Sequence, residues 1–185
     1  MTLLDETKTI NPFLDDALDF DAIYDRYFDR VFQFILYRVG NREVAKDLAS
    51  DIFLKIYKKL STYHPEKGSF DAWIFTIAGN HVKDYYRKKN RFQWLPIAAV
   101  RDIPDPVARS EELVEEREEI EYLRRAVKKL RLDDQLLISY KFGAELSNQT
   151  IAELIHTNPN HVGVMIHRLV NLLRNEMEAY YEGTT

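Results

Sequence analysis

Residues 42–60 read REVAKDLASDIFLKIYKKL. Val44, Leu48, Ile52, Ile56 and Leu60 recur at every fourth position, the spacing of one face of an α-helix. Charged residues fill much of the rest, so the stretch predicts an amphipathic helix and not a strand. Just upstream stand Gly40, a helix stop, and Asn41, a candidate N-cap. Before them, residues 20–39 show the same period at Phe20, Tyr24, Tyr27, Val31 and Phe34. Downstream, residues 61–69 carry Pro65 and Gly68 and read as a loop. Ser69 can cap a third helix over residues 70–91, with Ile74, Ile77, Ala78, Val82 and Tyr85 inside. The three helices are expected to share one core.

Pro96, Pro104 and Pro106 then block a continuous helix over residues 92–110 and mark a linker. The helical period resumes over residues 111–130, with a stripe of Leu113, Ile120, Leu123, Val127 and Leu130. Residues 133–142 form a short helix ended by Gly143. Residues 147–155, opened by Ser147, form another. After a turn at residues 156–158, Pro159 suits the first turn of a last helix running to about Glu178. Strand-like alternation is nearly absent. The fold class is all-α: a lobe of three to four helices over residues 20–92, a linker over 93–121 and a second helical lobe over 122–178. An acidic extension (1–19) and a short tail (179–185) flank them.

Composition narrows the function classes. The 185-residue chain is 45% hydrophobic and 30% charged, a globular balance. With no cysteine, disulfide frameworks, Cys-ligated zinc and thiol nucleophiles are excluded. The five histidines lack ligand spacing, and no carboxylate pair marks an enzyme site, so neither metal, cofactor nor catalysis is expected. No apolar run reaches membrane-spanning length and the acidic N-terminus is no signal peptide, so a cytoplasmic protein without membrane insertion is expected.

The net charge of −4 conceals a pattern. Residues 21–92 hold 14 Lys and Arg against 9 acids, and residues 122–178 hold 8 against 6. Residues 1–20 have one Lys and five acids, and residues 101–121 three Arg and nine acids. Two mildly basic blocks separated by an acidic connector suit a bilobed polyanion binder, although solvated helix faces give similar runs. The acidic segments are expected to restrain DNA binding by the free protein.

Three constellations carry the chemistry. In the third helix Phe70, Trp73, Tyr85 and Tyr86 interleave with Lys83, Arg87, Lys88, Lys89 and Arg91. Aromatic faces stack unpaired bases and cations hold the backbone, a pairing suited to single-stranded DNA. Phe70 and Trp73 fit a core role equally well. Asn80, Asp84 and Arg87 lie at one-turn spacing, either as a surface ladder or with Asn80 reading a base. The second helix sets Asp47, Ser50, Asp51 and Lys55 beside Leu48, Phe53, Leu54 and Tyr57. That is more apolar surface than one stripe needs: a partner face, or a helix buried on two sides. Residues 147–155 and 159–174 have the plan of a helix-turn-helix, with Ile151, Ala152, Leu154, Val162, Ile166 and Leu169 packed inside. Ser147, Asn158, Asn160, His161, Gly163, Val164, His167, Arg168 and Arg174 are its candidate DNA residues.

Taken together these residues resemble the bacterial extracytoplasmic-function sigma factors, initiation subunits of RNA polymerase, over roughly 20–92 and 122–176. Ala45-Lys46-Asp47-Leu48 with Asp51-Ile52-Phe53-Leu54-Lys55-Ile56-Tyr57 is similar to the family's polymerase-binding helix. The resemblance assigns Asp47, Leu48, Ser50, Asp51, Phe53, Leu54 and Tyr57 to that contact. Gly68-Ser69-Phe70-Asp71-Ala72-Trp73-Ile74, Ile77-Ala78-Gly79-Asn80, Asp84 and Arg87-Lys88-Lys89 are similar to its segment that melts the promoter and reads the minus-ten element. There the loop before the helix and Asn80 would handle a flipped base. Leu146-Ser147 and Ile151-Ala152-Glu153-Leu154 follow the family's minus-thirty-five domain. His156 replaces the usual turn Gly, His161-Val162 the usual Thr-Val, Ser50 a Gln and Arg131 a Pro; Gly163 and Met165 stand where Lys and Arg are usual, and Arg168 is retained. The resemblance implies core RNA polymerase and promoter DNA as partners, with an anti-sigma factor as a further candidate. A sigma-like DNA-binding regulator without polymerase and a helical adaptor that binds only proteins are the alternatives.

Overall fold

The computed structural model describes residues 19–92 and 111–184. The acidic extension (1–18) and the proline-containing stretch (93–110) lie outside them. Seven helices, two short 3-10 turns and one π-helical turn make up the regular structure of the described residues, and no strand occurs among them.

Helix α1 (Phe20–Val39) opens on Asp19, whose carboxylate accepts from the Asp21 N–H. It stops at Gly40, where φ is 67° and the N–H returns to the Leu36 carbonyl. Helix α2 (Arg42–Lys59) begins at Asn41, whose side-chain oxygen takes the Val44 N–H. The 3-10 turns Leu60–Thr62 and Pro65–Lys67 carry the chain to α3 (Phe70–Phe92). Ser69 caps α3 through its hydroxyl, which accepts from the Ala72 N–H at 3.3 Å. Val31, Phe34 and Ile35 of α1, Ile52 and Ile56 of α2 and Ile74, Phe75 and Ala78 of α3 are fully buried, the shared core expected of the three helices.

Helix α4 (Glu111–Lys129) runs unbroken across residues 121 and 122, where the linker was expected to end. Its stripe is only partly covered: Ala126 is buried, but Ile120 and Leu123 stay exposed. The physical reason is that α4 packs chiefly on the last helix, with Tyr122 and Tyr180 rings 4.5 Å apart. Helix α5 (Leu132–Ile138) continues into a π-helical turn, Ser139–Gly143, closed by the Ala144 N–H on the Ser139 carbonyl. Helix α6 (Asn148–Ile155) is capped by Ser147, whose hydroxyl accepts from the Thr150 N–H. Helix α7 (Pro159–Thr184) outruns the expected end at 178.

The two lobes share one apolar core. The π turn packs on α1, and α6 packs on α3. Tyr140 stacks flat on Phe34, centroids 5.1 Å apart. Gly143 meets the α1 backbone so closely that a Cβ there would lie 3.1 Å from the Phe34 Cα. Arg30 spans the seam: its Nε donates to the Ala144 carbonyl at 2.9 Å, and its other two nitrogens grip both Asp71 oxygens.

Candidate nucleic-acid and partner interfaces

On α3 the chemistry divides by face. Phe70 is buried, at 7% exposure, between Tyr27 and Tyr63, and Trp73 stacks on it at 5.5 Å. Both therefore serve the packing under the loop. Tyr86 is half-buried, and its hydroxyl donates to the Arg38 carbonyl, which ties α3 to the end of α1. The opposite face is polar. Asn80, Lys83, Arg87, Lys88 and Lys89 are exposed, and Asp84 pairs with Arg87 at 3.0 Å. Lys89 lies over the Tyr85 ring, 5.9 Å from its centroid. The side chain of Arg91 falls outside the described residues. Four exposed cations thus line the last turns of the helix beyond Asn80, with one acid among them.

Helix α2 uses its apolar excess in both of the ways its sequence allows. Leu48 and Phe53 are buried, Phe53 at 3% exposure against Phe20, Tyr24 and Phe28. Leu54 and Tyr57 are 51% and 61% exposed and, with Tyr24, form an open apolar patch. Asp47, Ser50 and Asp51 are exposed on the same helix, and the Ser50 hydroxyl bonds back to the Lys46 carbonyl. Apolar contacts ringed by acids suit a protein partner with a basic rim.

Under that face lies a contact that the sequence reading missed. The Lys55 ammonium sits 2.6 Å from the His81 Nδ1 and donates to it, so the ring is neutral with its proton on Nε2. Nε2 is 3.5 Å from an Asp51 oxygen, within ion-pair range but without hydrogen-bond geometry. Burial, then the Lys55 charge, hold the His81 imidazole below its ordinary value, against the opposing pull of Asp51. No motif links the three, but Asp51 and Lys55 one turn apart on α2 made the surface half legible.

The helix-turn-helix is present. Val162, Ile166 and Leu169 of α7 are buried with Ile151 and Ala152 of α6. The turn is made by His156 in the left-handed conformation, φ 55°, with its N–H on the Ala152 carbonyl. Asn158 caps α7 through the His161 N–H at 2.8 Å, so it serves the backbone. Asn160, His161, Val164 and His167 are exposed, and Gly163 is half-buried beside Asn148. Arg168 lies 3.7 Å from Asp134, and Arg174 and His167 both bond to Asn171. Ser147 spends its hydroxyl on the cap.

Residues 23–92 match the Sigma-70 region 2 family. The structure superposes on the sigma factor RpoE of Bartonella quintana, solved in complex with the anti-sigma factor NepR. The TM-score is 0.65 at 18% identity over 88% of this chain and 98% of that one. It also superposes on CnrH, solved with the cytosolic domain of CnrY, with TM-score 0.55 at 19% identity over 90% and 89%. No curated protein matches by sequence. The family match covers the three helices of the N-terminal lobe, and the two-lobe all-α fold is the one seen in these sigma factor structures. The resemblance drawn from residues 45–57 and 68–89 is borne out.

No group of three or more metal-ligating side chains occurs among the described residues. No helix among them is long and apolar enough to cross a membrane.

Proposed function

We propose that this protein is a sigma factor that acts in the cytoplasm as a transcription initiation factor, docking on core RNA polymerase and directing it to its promoters. Its work is recognition, not catalysis. The observation that carries the reading is the two-faced α3 of a Sigma-70 region 2 domain, with Asn80 and a run of exposed cations on its open side. Lys83, Arg87, Lys88 and Lys89 hold promoter phosphates, while Asn80 and the Gly68–Ser69 loop take a flipped minus-ten base. Melting costs about 1.4 kcal/mol per base-pair step, so capturing one or two extruded bases contributes a useful share. The second lobe positions the complex upstream through Asn160, His161, Gly163, Val164 and His167, with Arg168 and Arg174 toward phosphate. Exposed Asp47, Asp51, Leu54 and Tyr57 form the polymerase contact, and Leu48 and Phe53 hold that surface from beneath. An anti-sigma factor is a further partner, as both RpoE and CnrH were solved bound to a second protein.

The test is co-elution with bacterial core polymerase in size exclusion, wild type beside Asp47→Arg/Leu54→Arg. Both substituted side chains are exposed, so the fold survives the change. Wild type should travel with core and the variant should elute alone. Two folded proteins that both elute alone, with core from the native host, would remove the sigma reading.

A further inference from the structure

Helix α4 carries more apolar surface than its neighbour covers. One face lies on α7: Tyr122 packs on Tyr180, Ala126 is buried and Lys129 pairs with Glu176 at 3.8 Å. Ile120 and Leu123 stand on another face of the helix and are 49% and 39% exposed. Val127, one turn further along that face, is only partly covered. An apolar ridge of this kind, three and four residues apart, is built to meet a second helix.

The ridge has a register. Leu113, Ile120 and Val127 fall seven residues apart, and so do Glu116, Leu123 and Leu130, three places on. These are the a and d positions of a heptad. Ile and Val at a with Leu at d favour two parallel strands. The flanks agree with that choice. Glu112 and Glu119 occupy g positions, and Arg117 and Arg124 occupy e positions. In a parallel pair each g faces the e five residues on in the other chain. Glu112 would then face Arg117, and Glu119 would face Arg124, each twice by symmetry. An antiparallel pair would set Arg117 against Arg124 and is disfavoured. A second copy of this chain therefore satisfies the charge order that α4 itself carries.

The groups needed are within reach. Arg124 is exposed, and its pair with Glu121 on the same helix is a surface contact of little worth, readily exchanged. Glu119 is half-buried and accepts from the Tyr181 hydroxyl, which leaves acceptor capacity on its carboxylate. The helix dipole also favours acids early and bases late, but only within the first and last turn. It accounts for neither the heptad register nor the exposure of Ile120 and Leu123.

We propose that α4 is a dimerisation helix: two copies of the chain pair α4 against α4, parallel and in register, about Ile120, Leu123 and Val127. Glu116, a charge at a d position, interrupts the ridge toward its N-terminal end, so the pair is reversible and not obligate. Helix α4 packs chiefly on α7, so the contact leaves the α2 face and the α3 cations of each copy open. The pairing does not depend on the sigma reading, and either stands if the other falls.

Sedimentation equilibrium of the full chain over a concentration series tests the proposal. The weight-average mass should climb from one chain toward two. Ile120→Asp/Leu123→Asp, changed at exposed positions, should keep its helix content and stay at the mass of one chain. Glu119→Arg alone and Arg124→Glu alone each set like charges across the pair and should lose the dimer. Mixed together they should regain it as a heterodimer, which misfolded chains would not do. Orientation is read by oxidation. The chain has no cysteine, so Leu123→Cys should cross-link to its own copy, since a d position faces itself in a parallel pair. Lys58→Cys, exposed on α2, should not. The mass of one chain at every concentration up to about 1 mM, the weak end of the affinity scale, overturns the proposal and leaves the ridge to another occupant. A dimer that survives Ile120→Asp/Leu123→Asp overturns it too, as does a charge-reversed mixture that stays monomeric.

Discussion

His156 has a left-handed backbone without being glycine, and it does so at the turn on which the second lobe depends. A side chain in that region costs roughly 1–2 kcal/mol, partly offset because glycine would loosen the unfolded chain by roughly 0.5–1 kcal/mol. His156→Gly should therefore raise stability by about 0.5 kcal/mol, and His156→Val should lower it. Urea unfolding of the three proteins should rank them Gly, His, Val; a β-branched residue as stable as His would contradict the strain. His81 supplies the second residue-scale expectation. Its folded-state pKa is depressed by burial and by Lys55, so the unfolded chain takes up this proton first as pH falls. The stability tied to neutral His81 is complete above the unfolded value of about 6.5 and is lost as pH drops through the lower folded value. The urea midpoint should fall between about pH 7.5 and about pH 5, and fall less in His81→Asn. At this scale the sequence was legible where a side chain acts on its own neighbourhood. Gly40, Asn41, Ser69 and Ser147 all take the stop or cap role their local sequence indicates. Arg30 and Glu153 were not legible, because their partners lie 41 and 84 residues or more away.

Among the elements, α2 and α3 show how one helix serves both core and partner. Periodicity located the buried stripes but could not divide the surplus apolar residues of α2. Phe53 turns in against α1, whereas Leu54, the next residue, turns out by about 100°. On α3 the same division leaves Lys88 and Lys89 exposed, with no ion pair to either among the described residues. If each neutralises one phosphate, Lys88→Ala/Lys89→Ala should lower the slope of log affinity against log salt by about 1.4 for single-stranded DNA, at roughly 0.7 per phosphate. A titration of holoenzyme binding against salt measures it. An unchanged slope would move the phosphate path off this end of the helix. In the second lobe α6 and α7 are where the sequence placed them, and the Asn158 side-chain oxygen caps α7. The exposed side of α7 then offers Asn160, His161 and His167 but no unpaired arginine in its first three turns. On the proposed function, the minus-ten lobe is therefore expected to carry more of the DNA contact than the upstream lobe.

For the whole molecule, the charge pattern and the three prolines led to an expectation of two lobes joined by a linker, and the described residues form two lobes that also share a core. That shared core comes from Phe34, Tyr140 and Gly143. Each reads as an ordinary core or helix-end residue, and only the tertiary arrangement brings them together. The region 2 match and the fold were legible because the α2 and α3 motifs are local and dense. The closure between lobes was not, because it depends on two glycines and a tyrosine meeting across the chain. The central claim concerns this whole: a factor that gives core polymerase its promoters. The most direct measurement is transcription in vitro from genomic DNA of the source organism, by its core polymerase with and without this protein, with 5′ ends mapped. Discrete new start sites sharing an upstream sequence should appear with the wild-type protein. They should be lost in Asn80→Ala/Lys88→Ala/Lys89→Ala although that variant still co-elutes with core. A transcript pattern identical to that of core alone, from a protein that binds it, would contradict the account.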